Sequence, residues 1–330
     1  MEIARKARFA DVRRVGIPRG LLYYRYGELW EAFFRALGRE VVVSDPSTRG
    51  TFEQGDAASV DECCFASKLY LGHVRSLLGK ADALFVPSMA NLGHCRAFCT
   101  KFQALPDLVA NTFADERPRI LSCWIEEEET RSSMPDAFAG LGVSLGASAR
   151  EARRAYKTAA AAQAHADRRA ARAQHDLLAR ALAAPAEERA PIILVCAHPY
   201  VAHDPFIGGA VEDALRGLGC TVLFAENVDR DRAYRKSFEF SETMPWVVSR
   251  ELVGGIMMLH DQVDGIVVMS AFPCGPDSMT DDAIARCITG KPMLTLTVDA
   301  QSGTAGVETR VESFVDILRY QRKGGYLHGR

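Results

Sequence analysis

Short apolar runs alternate with amphipathic helical segments along most of this chain, and this alternation restricts the fold more than any other feature. The predicted strands of the first half are residues 15–18, 40–44, 82–86 and 119–124. Those of the second half are residues 192–196, 221–225, 265–270 and 293–298. Helical patterns separate most of these runs, which is typical of βαβ units and parallel sheets. We therefore predict an α/β fold with two similar parallel-sheet lobes that face each other, although no residue-level repeat relates them.

The segment between the two halves, residues 147–190, is dominated by alanine and arginine. Both residues are strong helix formers, and large apolar residues are scarce there. The pattern predicts a long solvated helix, or a helical hairpin, that joins the lobes; the alternative is an arginine-rich surface for an acidic partner. The predicted domains are residues 1–145, a helical linker over 146–190, and residues 191–330.

Length and composition exclude several classes of protein. The chain has 330 residues, 48% hydrophobic and 25% charged, with a formal net charge of -2. This length favours two domains of roughly 150 residues, and the charge gives no electrostatic case for binding nucleic acid or an anionic membrane. No apolar run approaches the ~18 residues of a membrane-spanning helix. The nine cysteines are odd in number and scattered, so we expect a reducing cytoplasm rather than a disulfide framework.

Cysteines lie in separate loops that follow or precede regular elements. Cys274 follows the predicted strand over 265–270, Cys63 and Cys64 open a helix, and Cys95 and Cys99 follow the strand over 82–86. Ligands of open parallel sheets bind beyond the carboxyl ends of the strands. A thiolate at a helix N-terminus has a lowered pKa and suits a metal, which requires a deprotonated ligand. These cysteines therefore resemble a shared ligand set.

The spacing of these cysteines indicates which kind of metal site is compatible with them. They lack the close C-x₂-C pairs of a zinc ribbon, whereas an iron–sulfur cluster tolerates widely separated ligands. The alternative is that they are small buried hydrophobes, a common fate of free cysteine. That alternative suits Cys123, Cys196, Cys220 and Cys287 better. The sequence has no Walker A loop and no Gly-x-Gly-x-x-Gly after a strand, so a nucleotide-driven step would need another protein.

At these positions the sequence resembles the family of proteins related to the activators of 2-hydroxyacyl-CoA dehydratases. That family is similar to the 2-hydroxyglutaryl-CoA dehydratase and benzoyl-CoA reductase subunits and to double-cubane cluster reductases. The matching segments are residues 15–21 with Trp30, 61–68 through 72–73, 98–101 with 105–107, 198–200 with 204–205, 272–278, and 303–314 with Arg310. The sequence departs from the family pattern at Ala66 and Thr100, where relatives usually have proline.

The resemblance implies two Rossmann-like lobes with a [4Fe–4S] cluster in the cleft between them. Carried over by motif, its ligands are Cys64, Cys99 and Cys274; Cys63 and Cys95 could substitute for them or serve a second cluster of the double-cubane type. Many relatives are fused to an ATP-binding activator domain that this sequence lacks. We therefore expect a separate ATP-hydrolysing activator protein, or another electron donor, and, again from relatives, a homodimer.

Three functions remain open at this point. The first is a reductase or dehydratase-like enzyme that performs low-potential one-electron chemistry on a small or acyl-CoA substrate. Candidates for tuning the cluster or delivering protons in that enzyme are Lys68, His73, His198 and Asp277. The second is a non-catalytic electron-transfer or cluster-carrying subunit that docks through the arginine-rich residues 150–180. The third is a binding protein with a structural zinc ion.

Overall fold

The computed structural model describes residues 7–185, 188–299 and 304–322. The chain forms two compact units: residues up to 166 together with 243–247, and residues 167–242 together with those from 248 onward. These units are defined by packing and not by independent folding, so the division at residues 145 and 190 stays a prediction.

The first unit is built on a parallel sheet. Its strands are β1 (Arg14–Ile17), β2 (Glu40–Val43), β3 (Ala83–Phe85), β4 (Ser88–Asn91), β5 (Ile120–Leu121) and β6 (Trp124–Glu126). Four of them form a parallel sheet in the order β2-β1-β3-β5, and β4 pairs with β6 in a separate two-stranded parallel sheet. Aromatic rings pack beside β3, where Phe85 contacts Trp30, Phe34 and Phe138. This aromatic cluster is the centre of the apolar core.

Seven helices accompany these strands within the described residues. They are α1 (Tyr23–Ala36), α2 (Arg49–Ala57), α3 (Phe65–Leu77), α4 (Thr100–Gln103), α5 (Leu105–Thr112), α6 (Met134–Ser144) and α7 (Ala149–Leu182). Residues 100–112 form two helices rather than one, because Ala104 ends α4 and Pro106 begins a new first turn in α5. The strand predicted over 119–124 is likewise interrupted at Ser122 and Cys123. Helices α2 and α6 were not predicted.

The second unit repeats the same topology. Its strands are β7 (Ile192–Ala197), β8 (Thr221–Phe224), β9 (Gly265–Ala271) and β10 (Met293–Val298). They form a parallel sheet in the order β10-β9-β7-β8. Numbered by their order along the chain, the strands of both four-stranded sheets follow the sequence 2-1-3-4. The α/β fold with parallel-sheet lobes is therefore confirmed.

Five helices of the second unit lie between successive strands, and a sixth follows β10. They are α8 (Pro199–Ala202), α9 (Gly209–Gly217), α10 (Arg230–Lys236), α11 (Val247–Leu259), α12 (Gly275–Cys287) and α13 (Thr304–Arg322). Residues 300–303, between β10 and α13, lie outside the described residues, and α13 begins at Thr304. Among the described residues, no helix combines the length and the hydrophobicity needed to span a lipid bilayer.

The alanine- and arginine-rich segment forms one continuous helix, α7, of 34 residues. Its arginines are exposed, as predicted, but one face is buried through Ala152, Ala155, Ala159 and Leu178. The buried Gln174 side chain accepts a hydrogen bond from the Phe224 backbone N–H at 2.7 Å and donates to the carbonyl oxygens of Phe224 and Asn227. Thus α7 is docked onto the end of β8 and is not a solvated linker along its whole length.

Candidate functional site

The strand order of the second sheet fixes where a ligand site is expected. The chain passes from β7 to β8 on one side, whereas β9 and β10 lie on the other, so β7 and β9 are neighbours at the point where the strand order reverses. Ligands of such sheets bind beyond the carboxyl ends of the two strands at this point. Ala197 pairs with Met269, so β7 and β9 end at the same edge of the sheet. His198 follows β7 directly, and Cys274 follows β9 by three residues.

Three chemically different side chains meet at this edge: His198, Cys274 and Asp277. Each offers one ligand atom, and these atoms all lie within 4.8 Å of one another. His198 Nδ1 is 3.1 Å from Asp277 Oδ1 and 2.7 Å from the hydroxyl oxygen of Tyr200. His198 and Asp277 are 6% and 4% exposed, whereas Cys274 is partly exposed. The site formed by these three side chains is therefore nearly enclosed, and solvent reaches it at the thiol of Cys274.

Helix α12 positions two members of this cluster. Cys274 is its N-cap residue, and its carbonyl oxygen accepts hydrogen bonds from the backbone N–H and the hydroxyl of Ser278. Asp277 lies in the first turn. The N-terminal end of a helix carries partial positive charge, which stabilises a thiolate or a carboxylate.

Negative charge nevertheless accumulates around Asp277. Its Oδ2 atom is buried and has no hydrogen-bond partner. One turn further along α12, burial and the negative charge of Asp277 together raise the pKa of Asp281 to about 7. Carboxylates this close resist ionising together. The site therefore suits an added positive charge.

The two other predicted cysteine ligands lie in the first unit. Cys64 is the N-cap residue of α3 and Cys99 that of α4, and neither side chain caps its helix by a hydrogen bond. Both are partly exposed. The three predicted ligands thus share one local position, immediately before a helix. Of their neighbours, Cys63 is buried, and Cys95 is partly exposed in a loop, with a φ of 54°.

A family model described as a CoA enzyme activase uncharacterised domain matches residues 14–228. The chain belongs to this family. The match includes Cys64, Cys99 and His198 and ends before Cys274 and Asp277. The predicted relation to the activase and dehydratase proteins is therefore confirmed at the level of the family. No curated protein matches this chain.

Similarity to solved structures is weak. A metal-free mutant of the periplasmic metal binding protein from Candidatus Liberibacter asiaticus is 12% identical, with 93% of this chain and 100% of that chain covered and a TM-score of 0.24. The C-terminal domain of glucosamine-fructose-6-phosphate aminotransferase from Francisella tularensis is 9% identical, with 100% and 89% covered and a TM-score of 0.22. TM-scores this low establish neither a shared fold nor a shared function.

In this member of the family, the side chains of Lys68 and His73 make polar contacts with neighbouring side chains. Lys68 Nζ lies 2.6 Å from Asp56 Oδ1 and joins α3 to α2. The His73 ring is 1% exposed, and its Nδ1 and Nε2 atoms lie 3.0 and 2.9 Å from the hydroxyl oxygens of Ser44 and Ser47. Lys68 therefore forms an interhelical ion pair, and His73 is a hydrogen-bonded core residue.

The burial of His73 predicts a loss of stability in acid. Burial, together with the positive charge of Arg19, lowers the pKa of this ring to about 4. An unfolded histidine takes up a proton near pH 6.5, so acid favours the unfolded chain. The contribution is present above pH 6.5 and is lost as the pH falls toward 4. Between pH 7 and pH 5 we expect a loss of about 2 kcal/mol in the free energy of unfolding, measured by urea titration. His73→Gln should show a flatter pH dependence, and an unchanged slope would contradict this assignment.

One further polar pair at the same sheet edge was not singled out by the sequence. Glu226, two residues after β8, is 6% exposed, and its Oε1 atom lies 2.5 Å from His203 Nε2. Burial opposes the charging of His203, but the hydrogen bond and charge of Glu226 prevail, so the pKa of His203 is raised. The sequence feature that could have indicated this pair is the carboxylate of Glu226 directly after an apolar strand.

Burial raises the pKa of Cys123 to about 12, as expected for an inert core thiol.

Proposed function

We propose that this chain is the cluster-holding component of a reductive CoA enzyme system of the 2-hydroxyacyl-CoA dehydratase or reductase type. The observation that carries the proposal is the shared position of Cys64, Cys99 and Cys274, each a partly exposed helix N-cap residue in a chain of the activase family. Thiolates are the ligands of iron–sulfur clusters.

The donor set fits such a cluster. These three thiols would hold a [4Fe–4S] cluster, and none of the nine cysteines is in a disulfide, which suits a reducing cytoplasm. When bound, the cluster would supply one-electron transfer at low potential. The other cysteines fit less well: Cys63, Cys123, Cys196 and Cys220 are buried, and Cys287 is exposed near the C-terminal end of α12.

The remaining polar residues of the site would move protons and orient groups. His198 Nδ1 contacts both the Tyr200 hydroxyl and Asp277 Oδ1, so the ring would be able to pass a proton between this buried carboxylate and a molecule bound beside its other nitrogen. Electrons would come from a separate ATP-hydrolysing activator protein or another electron donor, and a separate activator fits a chain of the activase family. The substrate would be a small molecule or an acyl-CoA.

The ligand assignment is tested with single cysteine variants purified without oxygen. Visible absorbance and iron content should fall by at least half in Cys64→Ala, Cys99→Ala and Cys274→Ala, because a cluster that loses one of three thiolates is weakly held. Cys287→Ala and Cys220→Ala are the matched controls and should keep wild-type iron. Equal iron in all five variants, each shown to be folded by circular dichroism, would contradict the assignment.

A further inference from the structure

We propose that His198, Cys274 and Asp277 form a site for one divalent transition-metal ion, built entirely within the second unit. This inference goes beyond the proposed function, because the site needs neither Cys64 nor Cys99. The three residues come from the ends of two adjacent strands and from the first turn of α12. The second unit therefore supplies all three protein ligands of this site.

The spacing of the donor atoms is close to that of a bound ion. Zinc–nitrogen, zinc–oxygen and zinc–sulfur bonds of about 2.0 to 2.3 Å in a tetrahedron place ligand atoms roughly 3.3 to 3.8 Å apart. Here the three ligand atoms, one from each residue, all lie within 4.8 Å of one another. An adjustment of side chains by about an ångström would complete the geometry.

The unpartnered oxygen of Asp277 points independently to a ligand. Asp277 is 4% exposed, and its Oδ2 atom is buried without a hydrogen-bond donor. A buried carboxylate oxygen that has lost its water and gained no partner is destabilising. A metal ion satisfies such an oxygen, since carboxylates are regular ligands of zinc and iron.

The surroundings orient the histidine and select the type of ion. The Tyr200 hydroxyl, itself in a residue that is 8% exposed, contacts His198 Nδ1 at 2.7 Å, the same nitrogen that faces Asp277 Oδ1. An ion bound at Nε2 would keep the Tyr200 contact on the opposite ring nitrogen, and such contacts commonly contribute to the affinity of a metal-binding histidine. Imidazole and thiolate ligands suit Zn²⁺, Fe²⁺ or Co²⁺ and disfavour Mg²⁺ and Ca²⁺. Three protein ligands would leave a fourth position for water or a substrate atom.

The site shares Cys274 with the proposed cluster, so one ion and the cluster would exclude each other. This makes the two proposals separable by experiment. The probe is Co²⁺ added to the metal-free, reduced full chain in the absence of iron and sulfide. We expect one equivalent of Co²⁺ to bind with a sulfur-to-cobalt charge-transfer absorption, and a large excess of Mg²⁺ to leave this absorption unchanged.

The variants identify the ligands. Cys274→Ser should abolish the charge-transfer band, and Asp277→Asn and His198→Gln should weaken Co²⁺ binding by roughly 100-fold or more; Tyr200→Phe should weaken it by about 10-fold. Cys64→Ser and the exposed Cys287→Ser should bind as the wild type does. Absence of binding by the folded wild type, or an unchanged band in Cys274→Ser, would overturn the proposal. If Cys274→Ser does not fold, loss of the wild-type band in Cys64→Ser would overturn it instead. These outcomes test only the single-ion site. The proposed iron–sulfur cluster is tested separately by the sulfide content of the protein.

Discussion

The Gly72→Ala variant is expected to lose about 3 kcal/mol of its free energy of unfolding. Helices α2 and α3 approach each other through glycines, and a Cβ atom on Gly72 would lie 1.9 Å from the carbonyl oxygen of Thr51. A Cβ atom on Gly55 would lie 1.8 Å from the carbonyl oxygen of Lys68. Both obstacles are backbone atoms, so the helices must separate to accept a methyl group. Because α3 begins beside Cys64, this separation would also displace a proposed ligand.

Urea unfolding monitored by circular dichroism measures this loss. The matched control is Gly140→Ala in α6, where a Cβ atom would meet nothing within 4 Å. Alanine has the higher helix propensity, so the control should be unchanged or more stable by up to about 1 kcal/mol. A Gly72→Ala variant as stable as the wild type would contradict the close packing of α2 on α3.

The second large effect is expected at Arg250, which is 0% exposed in α11. Its guanidinium donates hydrogen bonds to the Ser237 hydroxyl and to the carbonyl oxygens of Ser241 and Glu242, and it lies 3.9 Å from the centre of the Phe238 ring. Arg250→Met would remove three hydrogen bonds, one to the buried Ser237 hydroxyl and two to partly buried carbonyl oxygens, while filling much of the same space. We expect a loss of about 3 kcal/mol, because each hydrogen bond to a charged group contributes roughly 1.5 to 3 kcal/mol and solvent partly replaces the two carbonyl contacts.

Arg250→Lys separates charge from geometry. Lysine keeps the positive charge but lacks the planar fork that reaches several acceptors, so it should recover only part of the loss. Arg235→Met, at an exposed position of α10, should change the free energy of unfolding by no more than about 0.5 kcal/mol. Full stability of Arg250→Met would show that the guanidinium does not stabilise the turn that precedes α11.

The strand pattern was readable from the sequence because apolar β-branched runs in parallel sheets are buried on both faces. The strand β10 was predicted with its observed bounds, and the other strands of the second sheet to within one residue. The strand order that the two sheets share could not be predicted from the local apolar pattern, since strand pairing depends on contacts between residues distant in the chain. Helix α2 was missed because Gly50, Thr51 and Gly55 are weak helix formers, and it is stabilised by packing on α3.

The roles of buried polar residues could not be predicted from the sequence either. Gln174 and Arg250 are typical surface residues by composition, and only the fold shows that their side chains satisfy backbone groups. The position of Cys64 at a helix start was predicted from local pattern. Cys99 and Cys274 were predicted only in loops after strands, and the structure shows that each directly precedes a helix. The meeting of His198 with Asp277 depends on the register of β7 against β9, which the sequence does not specify.

The most direct test of the central claim is the iron and acid-labile sulfide content of wild-type protein purified without oxygen. The cluster proposal predicts roughly four irons and four sulfides per chain. One metal ion without sulfide, or folded protein with neither iron nor sulfide after anaerobic reconstitution, would contradict it.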